Sequence, residues 1–379
     1  MSLATSQSQS NSPWAKQTPF RRQPTQRELE EKQKRRFARW TLWVSVLNLF
    51  FTMALVVAML EISENWWLTG TLIFVPQLPL LIPSICLFAA SLVFNARAAV
   101  LNFASLALIF FNLCGAGFSM KAFDEPSDSP SNIRVLSCNV QNFEPDFSKV
   151  MREVSRNKPD IVAFQEARDT APEMLTEFLK GWHFQHVGEF WVGSRWPVRL
   201  VGSCEATPYD NRLTALKVQV DTPHGPLVVS NVHLMTARRG LSDLSIGSIL
   251  SGEGPGSVEH HSFLRYEEAR QTREFIEASG DVPHIVLGDF NMPVTSNIFD
   301  EHFGSWQNAF DEAGFGFGYS APCRPVRFWI PNTPWLRIDH VLTSSHFDAM
   351  RCETGEFNGS DHRLVSTVLR LRAGNEPPP

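Results

Sequence analysis

Residues 285–291 read Ile-Val-Leu-Gly-Asp-Phe-Asn and combine a predicted strand with polar side chains at its end, the pattern on which the predicted fold is based. Its aliphatic start, Ile285–Leu287, is short and contains β-branched residues, which is typical of a buried strand. Asp289 and Asn291 follow directly, so a carboxylate and an amide are predicted at the end of the strand. Because a polar pair after a strand is often no more than a turn, its meaning depends on whether other strands end in the same way.

Polar side chains recur at the ends of other predicted strands. These strands are Ile133–Leu136, Ile161–Phe164, Leu213–Val220, Leu227–Val232, Ile338–Leu342 and Leu364–Leu371. The side chains at their ends include Asn139, Glu166, His233, Asp339, Asp361 and His362. Carboxylates and amides without thiolates are ligands for a hard cation, Mg²⁺ before Mn²⁺ or Ca²⁺. Histidines beside carboxylates supply proton transfer, so the set indicates a metal site with acid–base chemistry.

Helical periodicity alternates with these strands. Residues 147–157, 172–180 and 260–279 are predicted to be helices, and the short polar gap at Thr222–Pro226 predicts a hairpin between two strands. The mixture indicates an α+β domain in which two sheets pack against each other and helices cover the outside.

The order of these residues resembles that of the endonuclease/exonuclease/phosphatase superfamily, which includes DNase I-like nucleases, abasic-site endonucleases, neutral sphingomyelinases and inositol-phosphate 5-phosphatases. The resemblance covers residues 132–372. Its motifs are Ser-Cys-Asn-Val-Gln-Asn at 137–142, Phe-Gln-Glu at 164–166, Gly-Ser-Arg-Trp-Pro-Val at 193–198, Ser-Asn-Val-His-Leu at 230–234, Gly-Asp-Phe-Asn at 288–291, Arg-Ile-Asp-His at 337–340 and Gly-Ser-Asp-His-Arg at 359–363. The resemblance implies a four-layer α/β/β/α sandwich of two mixed sheets and a metal-dependent phosphoesterase.

The resemblance also implies a role for each matching position. Glu166 is similar to the principal metal carboxylate, with Asn139 beside it. Asp361 resembles a second carboxylate that binds or orients the metal. Asp289 and Asn291 match the pair that positions the attacking water and holds the phosphoryl oxygens. The implied cofactor is Mg²⁺ or Mn²⁺.

Three further positions take acid–base and orienting roles by the same resemblance. His362 matches the histidine that contacts the scissile phosphate or deprotonates water, and Asp339 matches its orienting partner. His233 matches a histidine of the nuclease and sphingomyelinase branches, where it serves as an acid or as a phosphate ligand. Abasic-site endonucleases differ at this position, so His233 argues against that branch.

The first third of the chain has a different composition, and three long apolar stretches there predict transmembrane helices. Pro76, Pro79 and Pro83 make the middle helix the weakest of the three. The predicted segments are a polar, disordered cytoplasmic tail (1–39), an apolar block (40–120) with transmembrane helices at 40–60, 66–94 and 98–120, a linker (121–132), the catalytic domain (133–372) and a disordered tail (373–379).

Cations indicate how the apolar block is oriented. Five Lys and Arg residues lie between 32 and 39, and Arg97 precedes the third apolar stretch. The positive-inside rule places both groups in the cytoplasm, so three crossings leave the catalytic domain outside it. Asn358 begins an Asn-Gly-Ser glycosylation sequon close to Asp361. Because a glycan there would obstruct the site, a eukaryotic secretory setting is disfavoured. The sequence therefore predicts a multi-pass protein of the bacterial inner membrane.

The sequence says less about the substrate. Arg238 and Arg239 lie in a Gly- and Ser-rich stretch, 236–262, that is predicted to be a loop. The two arginines either bind a phosphate group of the substrate or form a solvated pair on the surface. Aromatic residues before Asp339 form either core or a rim that meets lipid. They are Phe328, Trp329 and Trp335.

Charge and layout separate the candidate functions. Membrane-tethered bacterial members of the superfamily share this layout of spans followed by a catalytic domain, which favours a lipid or lipid-linked envelope phosphate as substrate. Residues 122–379 carry 23 Lys and Arg against 34 Asp and Glu, and this acidic balance does not favour nucleic acid. A membrane-anchored extracytoplasmic nuclease stays an alternative, and a catalytically inactive membrane scaffold is a second one.

Overall fold

The computed structural model describes residues 23–372 except 125, 127–128, 144–146, 169–170, 209–210, 325–329 and 331–332. The terminal segments 1–22 and 373–379 lie outside the described residues, as do Phe328 and Trp329. Within the described ranges, an N-terminal helical block precedes an α+β domain.

The N-terminal block contains four helices: α1 (Gln26–Val57), α2 (Trp67–Leu72), α3 (Leu81–Phe94) and α4 (Ala96–Leu108). Single π-helical turns, Ala58–Ile62 and Ile109–Leu113, extend α1 and α4. The prediction that residues up to 39 are disordered is wrong from Gln26 onward. Thr25 and Glu28 form a capping box there, and the Glu, Lys, Arg and Gln residues that follow are good helix formers.

The middle apolar stretch, 66–94, is divided rather than continuous. Helix α2 ends at Leu72, and a short 3₁₀ turn, Leu78–Leu80, precedes α3. The break lies around Pro76 and Pro79, because proline lacks the N–H group that an uninterrupted helix needs. Among the described residues, two helices, Gln26–Asn65 and Ala96–Leu113, are long and apolar enough to cross a membrane, and Leu78–Phe94 is a shorter apolar helix.

Helices α1, α3 and α4 pack side by side around polar side chains. Asn102 Nδ2 donates to Ser45 Oγ and to Ser91 Oγ, both at 2.8 Å. Asn48 Nδ2 donates to Ser84 Oγ at 3.0 Å and to Asn102 Oδ1 at 3.3 Å. Large apolar side chains point outward instead, among them Trp40, Trp43, Phe50, Phe51, Leu92, Val93, Val100 and Phe103. This distribution is the reverse of that in a water-soluble bundle.

Strands of the α+β domain continue the predicted pattern. Those of five or more described residues are β1 (Asn132–Asn139), β2 (Ile161–Gln165), β3 (His183–Val187), β4 (Phe190–Ser194), β5 (Val198–Ala206), β6 (Arg212–Thr222), β7 (Gly225–His233), β8 (His284–Asp289), β9 (Asp339–Thr343), β10 (Phe347–Thr354) and β11 (Val365–Leu371). Seven of them contain or abut the strands predicted from the sequence. Strands β3, β4, β5 and β10 were not predicted.

Two six-stranded sheets contain these strands. One has the order Gln307–Asn308, β9, β8, β7, β6, β5, and the other has the order β10, β11, β1, β2, β4, β3. Strands β7 and β8 run parallel, as do β1 and β2, while the other neighbours are antiparallel. Both sheets are therefore mixed, as the resemblance implied.

Helices cover the outer faces of both sheets. On one sheet they are α5 (Phe147–Asn157) and α6 (Ala171–Phe178), and on the other they are α9 (Glu253–Glu277) and α10 (Asn297–Phe303). Two short helices, α7 (Arg238–Ser242) and α8 (Ile246–Ser251), pack on α9, and α11 (Ala309–Ala313) packs against the core between the sheets. Alternate strand residues point to opposite faces, so Val135 packs between the sheets while Leu136 packs beneath α5. Ile276 of α9 packs on the outer face of the other sheet. The four-layer sandwich is confirmed.

The loop predicted at 236–262 is wrong, because α7, α8 and the start of α9 occupy this stretch. Ser245 caps α8, and Gly252 ends it in the left-handed conformation. Gly240 lets α7 lie close to α9, since a Cβ atom there would stand 3.1 Å from His261 Cβ. Small and polar residues serve here as caps and close contacts between helices.

Candidate active site

Strand ends meet at one edge of the sandwich. The parallel pairing of β1 and β2 places Asn139 beside Gln165. The parallel pairing of β7 and β8 places His233 beside Asp289. Strand β9 begins at Asp339, opposite the same Asp289. These ends surround a polar cleft of about 220 Å³.

Gly288 allows β7 and β8 to approach each other just before Asp289. A Cβ atom on Gly288 would lie 1.9 Å from Val232 O, which no side chain could accommodate. Its φ of +144° is also a backbone conformation that L-residues rarely adopt. The glycine thus fixes the depth at which Asp289 enters the cleft.

His362 is oriented by Asp339 behind the cleft. Its Nδ1 lies 2.8 Å from Asp339 Oδ2, so Nδ1 carries a proton and donates it to this bond. Its Nε2 faces Asp289 Oδ2 at 3.6 Å and Asp361 Oδ1 at 3.9 Å. Burial by itself would lower the pKa of His362, but the charges of Asp339 and Asp289 outweigh burial and raise the pKa to about 10.

His233 is arranged like His362, with one ring nitrogen on a carboxylate and the other facing Asp289. Its Nδ1 lies 2.8 Å from Glu189 Oε1, and its Nε2 lies 3.7 Å from Asp289 Oδ2. Glu189 also contacts Arg168, and Arg212 Nη2 lies 3.5 Å from it. Burial raises the pKa of Glu189, but the bond to His233 and the arginine charges lower it to about 2. Glu189 could not be predicted from the sequence, because it is a single glutamate in a turn and belongs to no motif.

Asp289 lies at the centre of the cleft. Its Oδ2 accepts hydrogen bonds from Asn139 Nδ2 and Asn291 Nδ2, each at 3.2 Å. Its Oδ1 accepts one from the backbone N–H of Asn291 at 2.9 Å. Burial raises the pKa of Asp289 to about 6, although the positive charge of His362 opposes the change. A carboxylate in this range exchanges protons near neutral pH.

Two further carboxylates that line the cleft are suited to a divalent cation. Glu166 has a left-handed φ of 54°, and its Oε1 accepts a hydrogen bond from Asn139 Nδ2 at 3.0 Å. Asp361 Oδ2 lies 3.9 Å from Arg238 Nη2. Such oxygens fit Mg²⁺ or Mn²⁺. Asn139 turns its amide nitrogen toward Glu166, so in this orientation it supports the carboxylate and offers no oxygen ligand.

Asp289, Asp339 and His362 also bring possible ligand atoms within 4.8 Å of one another. Within this trio, however, Asp339 Oδ2 and His362 Nδ1 are already joined by a hydrogen bond. The positive charge of the imidazolium also disfavours a cation between them. The trio is better suited to holding a proton than to holding a metal.

An apolar cavity of about 280 Å³ lies beside the polar cleft. Thr236, Arg238, Asn291 and His362 line both spaces, so they form a shared wall. The other walls of the apolar cavity are formed by Phe74, Ala237, Leu241, Ser242, Ala321, Pro322, Arg324, Trp335, Leu336 and Ile338. Trp335 Nε1 donates to Phe74 O at 3.0 Å, which joins the N-terminal block to this wall. Arg324 was not singled out from the sequence.

All ten residues predicted to form the site lie together. Eight of them line the polar cleft: Glu166, His233, Arg238, Arg239, Asp289, Asn291, Asp361 and His362. Asn139 and Asp339 lie behind this lining and are joined to it by the hydrogen bonds described above.

Comparisons with known proteins identify a family and several similar solved structures. Residues 136–362, more than half of the chain, match the model described as Endonuclease/Exonuclease/phosphatase family. No curated protein matches the chain. One similar solved structure is a Bacteroides thetaiotaomicron protein of the same family, with 17% identity and a TM-score of 0.47 over 64% of this chain and 98% of that chain. A second is the mannosyl-6-phosphatase of that species, with 16% identity and a TM-score of 0.43 over 62% of this chain and 99% of that chain. A third is a 3′-5′ exonuclease from Neisseria meningitidis, with 16% identity and a TM-score of 0.44 over 62% of this chain and 98% of that chain.

Proposed function

Because this chain belongs to the endonuclease/exonuclease/phosphatase family of ester-bond hydrolases, we propose that it is a membrane-anchored phosphoesterase whose substrate is a lipid or lipid-linked phosphate. The polar cleft holds the phosphate, and a water molecule attacks phosphorus. The apolar cavity beside the cleft accepts the first part of the lipid chain.

The histidines and Asp289 carry the proton and charge chemistry in this proposal. His362 donates from Nε2 to a phosphoryl oxygen, since its Nδ1 is held by Asp339 at 2.8 Å. Asp289 orients the attacking water and accepts its proton, and Asn291 holds Asp289 in place through hydrogen bonds from its backbone N–H and its Nδ2. His233 stabilises charge on the leaving oxygen from the other side of Asp289. Donors fixed in advance in this way lower the barrier because they need no reorganisation.

Mg²⁺ or Mn²⁺, held by Glu166 and Asp361, would supply a Lewis acid that polarises the phosphoryl group. Asn139 orients Glu166 through its 3.0 Å hydrogen bond. Arg238 and Arg239 bind additional phosphate oxygens at the mouth of the cleft, where both side chains line the wall.

The proposed substrate is based on the wall that the polar cleft and the apolar cavity share. A phosphate ester with a long apolar group presents these two surfaces next to each other. The polar cleft satisfies the charged end, and the wall formed by Leu241, Trp335 and Ile338 covers apolar surface that would otherwise contact water. Phe74 places the N-terminal block at the same cavity, which supports entry of a substrate from a membrane.

A nuclease acting outside the cytoplasm is the second candidate, because the same polar residues would serve it. The 23 Lys and Arg against 34 Asp and Glu in residues 122–379 disfavour binding to a polyanion. An inactive scaffold is a third candidate. The complete set of carboxylate, amide and imidazole groups in one cleft argues against it.

Membrane anchoring is supported by how the N-terminal block is packed. Its helices bury Ser45, Ser91 and Asn102 and expose large apolar side chains, as expected where lipid is the surrounding solvent. Asn95 Nδ2 donates to Ala38 O at 3.1 Å, so the turn between α3 and α4 lies beside the start of α1. Lys and Arg residues therefore gather at one end of the block, and the catalytic domain lies at the other.

This arrangement predicts three crossings, with the catalytic domain outside the cytoplasm of a bacterial cell. Fusion of a phosphatase reporter after Pro379 is expected to give an active reporter. Fusion of a fluorescent protein that matures only in the cytoplasm should give no signal. Fusions after Asn95, at the opposite end of the block, serve as the control and should give the reverse pattern. A dark phosphatase fusion after Pro379 would show that Leu78–Phe94 does not cross.

Substitution of Leu241 by glutamate tests the lipid substrate. The added charge in the apolar cavity should raise KM for a polyprenyl diphosphate by about 10-fold or more, since burying one aliphatic side chain contributes about 1.5–3 kcal/mol. The same variant should hydrolyse a short water-soluble phosphate ester at an unchanged rate. Leu250→Glu is the matched control, because Leu250 is exposed on α8. Equal effects of Leu241→Glu on both substrates would contradict the assignment of this cavity.

A further inference from the structure

Glu64 is a buried carboxylate of the N-terminal block. It lies in the short helix Ser63–Asn65 that follows α1 and is 3% exposed. Its Oε1 accepts a hydrogen bond from Ser296 Oγ at 2.5 Å, and its Oε2 accepts one from Asn297 N at 3.2 Å. Both partners belong to the catalytic domain. The carboxylate therefore joins two parts of the chain that lie far apart in sequence.

Arg265 of α9 is the charged partner of Glu64. Its Nη1 lies 3.6 Å from Glu64 Oε1, and the two side chains are 1% and 2% exposed. Its Nη2 donates to Asn291 O at 3.0 Å, and its Nε donates to Met235 O at 3.2 Å. Its guanidinium lies over the ring of Phe74, 5.1 Å from the centroid. Arg265 thus connects Glu64 to two residues that line the polar cleft.

Among the described residues, Glu64 is the acidic side chain that forms an ion pair with Arg265. Glu268 is close, but its Oε1 already lies 3.1 Å from Arg212 Nη1 and accepts a hydrogen bond from Met235 N at 2.5 Å. A buried guanidinium that loses its negative partner is strongly destabilised and shifts toward whatever compensates its charge. Such a shift would move the carbonyl of Asn291 with it.

We propose that Glu64 is a positioning residue of the active site, which acts through Arg265 on the segment that carries Asn291. This inference rests on the proposed role of Asp289 in the reaction, because Asn291 donates to both carboxylate oxygens of Asp289 from its backbone N–H and its Nδ2. Displacement of the Asn291 backbone therefore disturbs Asp289 as well. The N-terminal block then completes the active site as well as anchoring it.

Kinetics of Glu64→Gln in the full chain, solubilised in detergent, test this inference. The probe is bis(4-nitrophenyl) phosphate, a soluble ester that does not depend on the apolar cavity. We expect kcat to fall by about 10- to 100-fold, because displacements of about 1 Å have effects of this size. Glu61→Gln is the matched control, since Glu61 is exposed one turn earlier, and its kcat should equal that of the wild type.

A double substitution separates positioning from general destabilisation. If Glu64 acts through Asn291, Glu64→Gln should lower kcat by a clearly smaller factor in Asn291→Ala than in the wild type, because the Asn291 side chain that it positions is already gone. Equal kcat for Glu64→Gln and Glu61→Gln, with a lower melting temperature alone, would overturn the inference. Fully multiplicative losses in the double variant would also overturn it. Failure of the wild type to hydrolyse any phosphate ester would instead overturn the proposed function on which it rests.

Discussion

Replacing His362 or Asp289 by alanine is expected to lower kcat by about 10²–10⁴-fold while leaving the fold intact. His362 Nε2 and Asp289 Oδ2 face each other at 3.6 Å in the polar cleft, where the phosphate and the attacking water are proposed to lie. Loss of either group removes a donor or acceptor that acts on the transition state directly. Steady-state kinetics, with circular dichroism and melting curves on the same samples, measure this effect.

Two further variants make the expectation specific. Asp339→Asn should lower kcat less than His362→Ala, because asparagine can still hydrogen-bond to the imidazole at Nδ1. His346→Ala should not change kcat, since His346 follows β9 and lies outside the residues that line the cleft. If His362→Ala keeps a rate near that of the wild type, its role is assigned wrongly. His233 would then become the leading catalytic histidine.

Replacing Glu166 by glutamine is expected to weaken metal binding and to lower the rate together. Glutamine keeps the shape of the side chain but removes the negative charge that a hard cation requires. The Mg²⁺ or Mn²⁺ concentration that gives half-maximal rate should rise by about 10-fold or more, on the scale of a lost metal-site interaction. Metal titrations of the rate, and of the melting temperature as a readout independent of turnover, measure the change.

Glu173→Gln is the control for this substitution, because Glu173 lies exposed on α6. Its metal dependence should equal that of the wild type. Excess chelator should abolish hydrolysis by the wild type, and added Mg²⁺ or Mn²⁺ should restore it. Undiminished hydrolysis in excess chelator would contradict the metal-dependent mechanism.

Much of the site could be predicted because its residues follow strands. Asn139, His233 and Asp289 come at the ends of short aliphatic runs, and parallel pairing brings such ends to one edge of a sheet. Local sequence therefore predicts both the strand and the position of the polar side chain at its end. Order along the chain supplied the remaining information, through the resemblance to a known family.

Residues that depend on tertiary contact could not be predicted. Glu189 lies in a turn between β3 and β4, and its partner His233 is 44 residues away. Glu64 is separated from Ser296 by 232 positions and lies in a short connection between two apolar stretches. Neither residue belongs to a periodic pattern or a motif. Their burial and their charged partners become visible in the folded chain.

Strand β5 and the helices at 236–262 were missed for a different reason. Strand β5 exposes Leu200 and Val201 at a sheet edge, so it lacks the regular alternation that identifies a half-buried strand. Helices α7 and α8 contain Gly and Ser, which are more frequent in loops. Packing against α9 stabilises them despite their weak local propensity.

Hydrolysis of a lipid-linked phosphate in this cleft can be measured beside cleavage of DNA in a single preparation. The full chain in detergent micelles with Mg²⁺ is given a polyprenyl diphosphate, and phosphate release is measured beside nicking of supercoiled DNA by the same preparation. We expect phosphate release from the lipid that is lost in His362→Ala, and no nicking above that of this variant. DNA cleavage that depends on His362, without release of phosphate from the lipid, would contradict the claim and identify a nuclease.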